Sequence, residues 1–176
     1  MSDPKILSWE NKPERKAWST QLLSSISTAM PSLGQARAEI FLPGYDGLSP
    51  DLQIKFWAEL LIAMSWFESK WKPSEIYHEP PPLGVDSVGL LQLSYEDEKP
   101  YGLEKLSREK KSLEDPLVNL RCGVAILAKL TSHDKVVESS AGKKYGGASR
   151  YWSVIRQGEK HHLEEIRARV KDAVWL

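Results

Sequence analysis

The clearest hydrophobic pattern lies in the second quarter of the chain. Ser49 is a suitable N-cap residue, Pro50 suits the first helical position, and Asp51 falls in the first turn. Apolar residues then occur nearly all round the helix as far as about Ser69, and Pro73 prevents a longer helix. The pattern predicts a helix in the middle of the molecule.

A second helix is marked in the same way further along the chain. Asp115 is its predicted N-cap and Pro116 its first residue, and apolar positions continue to about Ser132. Weaker amphipathic patterns predict helices over Pro13–Met30 (ended by Pro31), Ser32–Leu42, Ser149–Gln157 and Lys160–Val174.

The stretch between the two strong helices lacks helical periodicity. Lys72–Ser87 is predicted to be a long loop stiffened by three consecutive prolines, and such loops in compact domains are often functional. Gly89–Ser94 is compatible with a short strand or with the start of a helix, and Ser139–Gly147 is predicted to be a loop. We therefore predict a mainly α fold with at most a small β element near residues 83–95.

Composition indicates one globular domain. In 176 residues, 24 Lys and Arg balance 24 Asp and Glu, which argues against nucleic-acid binding. The single cysteine, Cys122, excludes a multi-cysteine metal site, and the adjacent His161 and His162 point to different helix faces. We expect no metal, no cofactor and a monomer. No run of about 18 apolar residues occurs, so no transmembrane segment is expected.

The candidate chemistry begins with Glu68. Met64 and Leu61 precede it by four and seven residues, so this carboxylate continues an apolar stripe of the predicted central helix. It also falls in the last turn, at the negative end of the helix dipole. Both effects disfavour the anion, so we predict a raised pKa, which suits a general acid for glycosidic cleavage.

Several short motifs accompany Glu68 in a particular order. They are Glu68-Ser69, Trp71 and Pro73; Asp86-Ser-Val-Gly-Leu-Leu-Gln-Leu93; Asp115-Pro116, Asn119, Gly123, Leu127 and Leu130; and the segment around Tyr145. This series resembles the lysozyme-like catalytic domain of soluble lytic transglycosylases and goose-type lysozymes, over about residues 52–155. The resemblance implies a lysozyme-like catalytic domain, to which we assign residues 49–176. Residues 1–48 lie outside the resemblance, and we interpret them as an N-terminal helical extension that packs on this domain.

The resemblance also implies roles for individual residues. Glu68 is similar to the family's catalytic acid, which protonates the glycosidic oxygen between N-acetylmuramic acid and N-acetylglucosamine. Leu91 and Gln92 are similar to the floor of the sugar cleft, where the glutamine amide offers a donor and an acceptor. Ser87 is similar to a serine near the acid and the sugar.

The family also has a tyrosine near the acid. Tyr145 matches it, although the flanking residues differ, and Tyr151, Tyr95 or Tyr77 are alternatives. Trp71, which follows the acid closely, is a candidate for stacking on a sugar ring.

The mechanism depends on a second carboxylate, for which Asp86 and Asp97 are the candidates, while His78 and Glu79 are interpreted as a solvated loop pair. Such a group would serve hydrolysis, whereas a 1,6-anhydro product needs only the one acid.

The implied partner is the glycan strand of peptidoglycan, in the periplasm, in the cell envelope or outside the cell. No secretory signal is visible, so export by another route or prior removal of a signal is expected. The alternatives are a non-catalytic peptidoglycan-binding or envelope-assembly module and a chitinase-like hydrolase.

Overall fold

The computed structural model describes residues 6–139 and 145–175, and this part of the chain is mainly α-helical. Its helices are α1 Arg15–Leu33, α2 Ala38–Phe41, α3 Pro50–Ser69, α4 Glu98–Tyr101, α5 Pro116–Asp134 and α6 Leu163–Trp175. Two short strands, β1 Ile76–His78 and β2 Asp86–Val88, form an antiparallel hairpin. Short 3-10 turns cover Tyr45–Gly47, Tyr95–Asp97, Ser112–Glu114, Gly147–Arg150 and Ser153–Ile155.

α3 is the central helix, as its apolar pattern predicts. The Ser49 hydroxyl accepts a hydrogen bond from the backbone N–H of Leu52 at 3.4 Å, which confirms the N-cap. Every residue from Lys55 to Ser65 is buried. The helix ends at Ser69, because the next residue, Lys70, has a left-handed backbone, so α3 stops before Pro73.

α1 packs mainly against α5 and also contacts α3. The Asp115 carboxylate caps α5 by accepting the Leu117 N–H at 2.8 Å, as predicted. Trp18, Leu22 and Ile26 of α1 are buried in the same core as α3. The N-terminal region therefore shares its core with the rest of the chain.

Pro31 does not end α1, contrary to the sequence prediction. The helix continues to Leu33, which is fully buried, and the Gly34 N–H donates to the Met30 carbonyl at 2.8 Å. A proline in the last turn removes one backbone donor, and the packing of that turn offsets the loss. The helix predicted over Ser32–Leu42 is reduced to the short α2.

Of the two helices predicted near the C-terminus, one is confirmed and the other is wrong. α6 is present and buries Leu163, Ile166 and Val170 against the core, as predicted. The helix predicted over Ser149–Gln157 is instead two 3-10 turns separated by the buried Trp152. The loop predicted over Ser139–Gly147 lies largely outside the described residues.

The β element is present but begins earlier than predicted. β1 lies within the stretch predicted to be a continuous loop, and only β2 falls near residues 83–95. Ile76, Tyr77 and His78 are all exposed, so β1 has no alternation of burial that sequence could reveal. Among the described helices, none is long and apolar enough to cross a lipid bilayer.

Candidate active site

Glu68 lies in the last turn of α3, and contacts on both sides fix the position of that turn. The Ser69 hydroxyl donates to the Leu90 carbonyl at 2.9 Å, which joins the helix end to the loop after β2. Lys70 and Trp71 then adopt left-handed backbone conformations, with φ of 54° and 59°. Two successive residues of this kind turn the chain sharply away from α3. Glu68 is therefore carried on a firmly anchored helix end.

The loop from Val88 to Leu93 lies next to this helix end. It is closed by two backbone hydrogen bonds between its end residues, of 2.8 and 3.0 Å. Gly89 has φ of 79°, and a Cβ there would lie 2.4 Å from the Asn119 amide nitrogen, so the position requires glycine. The buried Asn119 side chain donates to the Val88 carbonyl and accepts from the Leu91 N–H, each at 2.9 Å. α5 thus positions the loop through one amide.

The hairpin presents only one face to the space beside Glu68. The register pairs Tyr77 with Ser87 and His78 with Asp86, and side chains alternate between the two faces of a strand. Tyr77, Glu79 and Ser87 line the cleft, whereas Asp86 lies on the other face, where its Oδ1 is 2.5 Å from His78 Nδ1. The structure therefore gives no support to Asp86 as a second carboxylate.

These elements enclose a cleft of about 670 Å³. Its lining combines acidic, aromatic and small polar side chains: Phe67, Glu68, Glu75, Tyr77, Glu79, Leu83, Val85, Ser87, Gln92, Ser94, Asp97, Tyr151, Trp152, Ser153 and Val154. Four of the lining residues carry carboxylates, and the described lining contains no lysine, arginine or histidine.

Glu68 has a strongly shifted titration. The pKa of its carboxyl is raised to about 7: burial is the largest cause, the charge of Glu79 adds to the rise, and the charge of Arg156 opposes it. The direction and the principal cause agree with the prediction from its place on α3. The carboxyl group can therefore hold its proton near neutral pH while facing the cleft.

Glu79 is a cleft residue that sequence reasoning missed, since it was interpreted as solvated. Its Oε1 accepts a hydrogen bond from the Ser87 hydroxyl at 3.2 Å, and its backbone N–H donates to the Val85 carbonyl at 2.9 Å. The available signal was its spacing of two from Tyr77, which places both on one face of a strand. That signal has meaning only once β1 is recognised.

Asp97 and Tyr151 form a hydrogen-bonded pair in another part of the cleft wall. The Tyr151 hydroxyl donates to Asp97 Oδ2, and the Ser94 backbone N–H donates to the same oxygen at 2.9 Å. Burial raises the pKa of both side chains. Of the four tyrosines considered from sequence, Tyr151 is the one that lines the cleft and is largely covered.

Tyr77 also lines the cleft, but 55% of it is exposed. Tyr145 and Tyr95 are not among the lining residues. The Tyr145 ring lies 5.0 Å from the Arg156 guanidinium, and the Tyr95 hydroxyl accepts the Leu113 N–H at 3.3 Å. Both belong to the surroundings of the cleft.

Gln92 lines the cleft in a left-handed conformation, with φ of 51°. Its Nε2 donates to the carbonyls of Glu75 and Gly89, at 3.0 Å each. Both amide hydrogens are therefore used by the fold, and only the oxygen can serve a glycan, contrary to the expectation of a free donor. Leu91 does not line the cleft; it is buried against Gly123, where an added Cβ would lie 2.2 Å from Leu91 Cδ1.

Trp71 belongs to an aromatic cluster and not to the cleft lining. Its ring N–H donates to the Ile62 carbonyl at 2.9 Å, and its ring centroid lies 4.8 Å from that of Trp66 and 6.4 Å from that of Trp9. The Arg15 guanidinium lies 4.8 Å from the same ring. The structure gives no support to sugar stacking by Trp71, because its ring and its N–H are engaged within the fold.

The N-terminal region contributes no described residue to the cleft lining, so residues 6–48 support the site only through the core. Within the described ranges, no three His, Cys, Asp or Glu side chains are grouped to hold a metal ion.

The fold and the site together define a class of protein. A mainly α domain with a buried carboxyl group of raised pKa at the end of its central helix, beside a cleft walled by a small hairpin, is a lysozyme-like domain. The chain belongs to the transglycosylase SLT domain family, whose model matches residues 51–159. Domains of this family are of the lytic transglycosylase type, which act on the glycan strands of peptidoglycan.

Solved structures of DslA share the fold across nearly the whole chain. Wild-type DslA and two variants of it, each with one glutamate replaced by glutamine, are 34% identical to this chain, with a TM-score of 0.85. The match covers 98% of this chain and 98% of theirs, so it includes the N-terminal region. Comparison with curated proteins gives no match.

Proposed function

We propose that the protein cleaves peptidoglycan glycan strands between N-acetylmuramic acid and N-acetylglucosamine, with Glu68 as the general acid. The observation that carries this proposal is the pKa of about 7 for a carboxyl group that lines a cleft in an SLT domain. A group with that pKa is protonated often enough near neutral pH to donate to a leaving oxygen, and its conjugate base is strong enough to recover a proton. The proposed place of action is the periplasm, the cell envelope or the outside of the cell.

We assign the second functional carboxylate to Glu79. Its charge acts on Glu68, it lines the same cleft, and the Ser87 hydroxyl orients one of its oxygens. The glutamates replaced in the two DslA variants are eleven positions apart, the same separation as between Glu68 and Glu79. Asp97 is less suited, because Tyr151 and Ser94 already donate to one of its oxygens.

The residues that remain on the cleft wall are suited to binding the glycan. Gln92 offers its amide oxygen, Tyr151 and Ser87 offer hydroxyl oxygens as acceptors, and Tyr77 offers an exposed ring. An exposed aromatic ring beside polar groups is a surface on which a sugar ring packs well. We propose these four residues as the substrate-binding set.

The test compares the clearing of purified cell walls by wild type, Glu68→Gln and Glu109→Gln. The last variant makes the same chemical change at an exposed residue outside the cleft. We expect wild type and Glu109→Gln to clear equally, and Glu68→Gln to lose at least about 100-fold, the usual contribution of a general acid. Equal clearing by Glu68→Gln would remove Glu68 from the mechanism.

Two further readouts separate the neighbouring possibilities. A wild type that binds walls without clearing them would make the protein a binding module, and faster cleavage of chitin oligomers than of peptidoglycan would make it chitinase-like. Mass analysis of the released fragments then gives the reaction type. Hydrolysis adds one water to each cleaved bond, whereas attack by the substrate's own C6 hydroxyl leaves a 1,6-anhydro end that is lighter by one water.

A further inference from the structure

Arg156 lies beside the cleft on a well-fixed part of the backbone. It directly follows the 3-10 turn Ser153–Ile155, and both Ser153 and Val154 line the cleft. Its Nε donates to the Ser149 carbonyl at 2.9 Å, and its guanidinium lies 5.0 Å from the centre of the Tyr145 ring. One edge and one face of the guanidinium are therefore held by the protein.

Among the described residues, none pairs with the other edge of this guanidinium. Nη1 and Nη2 of Arg156 have no hydrogen-bond partner within residues 6–139 and 145–175, and neither is a buried, unsatisfied atom. Other arginines of the same ranges differ: Arg121, Arg150 and Arg167 each bind a carboxylate of the chain. A guanidinium with a free edge is the group that best binds a carboxylate through two parallel hydrogen bonds.

The position of Arg156 relative to Glu68 indicates where such a carboxylate would lie. The charge of Arg156 acts on Glu68, yet the two side chains form no ion pair, so the guanidinium stays near the acid without being neutralised by it. The described cleft lining presents four carboxylates and no cation. An anionic group on a bound glycan is therefore repelled by the carboxylates of the cleft and attracted to Arg156, which closely follows the lining residues Ser153 and Val154.

We propose that Arg156 is a binding residue for a carboxylate carried by the substrate close to the linkage that is cleaved. This inference rests on the proposed function and specifies its substrate further. In peptidoglycan the carboxylate comes either from the lactyl group of a peptide-free muramyl sugar or from the peptide attached to it, whereas chitin oligosaccharides carry none. Arg156 thus favours a muramyl sugar over a second N-acetylglucosamine at this position.

Binding is measured in the Glu68→Gln background, so that no ligand is cleaved. The ligands are peptide-free muramyl oligosaccharides, the same oligosaccharides with their peptides, and chitin oligosaccharides of equal length. We expect Arg156→Gln to weaken the binding of carboxylate-bearing ligands by at least about tenfold and to leave the binding of chitin oligosaccharides unchanged. Arg156→Lys keeps the charge but not the paired donors, so we expect it to recover only part of the loss.

The two carboxylate sources give distinguishable results. A loss with the peptide-free ligand identifies the lactyl carboxylate, and a loss confined to the peptide-bearing ligand identifies the peptide. Equal weakening for chitin and muramyl ligands, or no weakening for either muramyl ligand, would overturn the role of Arg156. If none of the glycans binds and the wild type fails to clear walls, the proposed function fails as well; chitin binding without a carboxylate effect removes only this inference.

Discussion

The negative charge of Glu79 raises the pKa of Glu68, adding to the larger effect of burial. The two residues are eleven positions apart and belong to different elements, the end of α3 and the hairpin. Because Glu79 is held by the hairpin, the position of the hairpin affects the pKa of Glu68. It also makes the pH dependence of activity sensitive to the charges around Glu68.

The first prediction concerns Glu79→Gln. Removing a like charge lowers the pKa of Glu68, so the acid loses its proton at lower pH. We expect the alkaline limb of the pH profile of kcat/KM to move to lower pH, whatever activity remains. Steady-state rates on cell-wall fragments across pH measure the shift.

Arg156→Gln is the matched test with the opposite sign. Removing the cation raises the pKa of Glu68, so we expect the alkaline limb to move to higher pH. Shifts in the same direction for both variants would contradict the electrostatic account of this site.

The second prediction concerns the stability cost of the acid. The pKa of Glu68 rises from its ordinary 4.5 to about 7 in the folded protein, so between those pH values the folded state keeps a proton that the unfolded chain releases. Stability contributed by this group is therefore present below about pH 4.5 and is lost as pH rises to about 7. Glu68→Gln does not titrate, so relative to wild type it should gain roughly 3 kcal/mol on going from pH 4 to pH 8.

Urea unfolding at the two pH values, followed by tryptophan fluorescence, measures this difference. Glu109→Gln is the control, because the same substitution at an exposed site should leave the pH dependence of stability as in wild type. An equal pH dependence in Glu68→Gln and wild type would mean that Glu68 titrates normally in the folded protein.

The third prediction concerns Trp71, for which the structure supports a structural role. Trp71→Ala removes the contacts with Trp9 and Trp66 and the hydrogen bond to Ile62, so we expect a loss of about 3 kcal/mol in the free energy of unfolding. Trp71→Phe keeps much of the ring packing and should lose less. Affinity for glycans should stay within about twofold in Trp71→Phe; a large loss of affinity with little loss of stability would restore the sugar-stacking role.

The fourth prediction concerns the contact between Leu91 and Gly123, through which the loop from Val88 to Leu93 packs against α5. A Cβ on Gly123 would lie 2.2 Å from Leu91 Cδ1, so Gly123→Ala must displace a buried side chain. We expect a loss of about 1–3 kcal/mol and a fall in activity, because the displaced Leu91 immediately precedes Gln92.

Combining Gly123→Ala with Leu91→Ala should cost at least about 1 kcal/mol less than the sum of the two single variants, since the smaller side chain makes room for the new methyl group. If the losses in the free energy of unfolding add strictly, as measured by denaturant unfolding, the two side chains are not in steric contact.

Predictions from sequence succeeded where local chemistry decides the structure. The caps Ser49 and Asp115 and the prolines after them define the starts of α3 and α5, because these side chains act within one helical turn. Where packing overrides local preference, the predictions were wrong: α1 continues through Pro31, and residues 147–155 form 3-10 turns.

The sequence by itself determined the mainly α fold, the central helix and the unusual place of Glu68 on it, since periodicity and helix-end chemistry are local properties. Only the tertiary structure decided which groups face that acid. Glu79 enters the cleft because β1 pairs with β2 and the pleat directs alternate side chains inward, while the same pleat turns Asp86 away. Trp71 lies close to Glu68 in the chain, but a left-handed backbone directs it into an aromatic cluster. Strand register and backbone reversal depend on contacts between segments distant in the chain, and for that reason no local pattern encodes them.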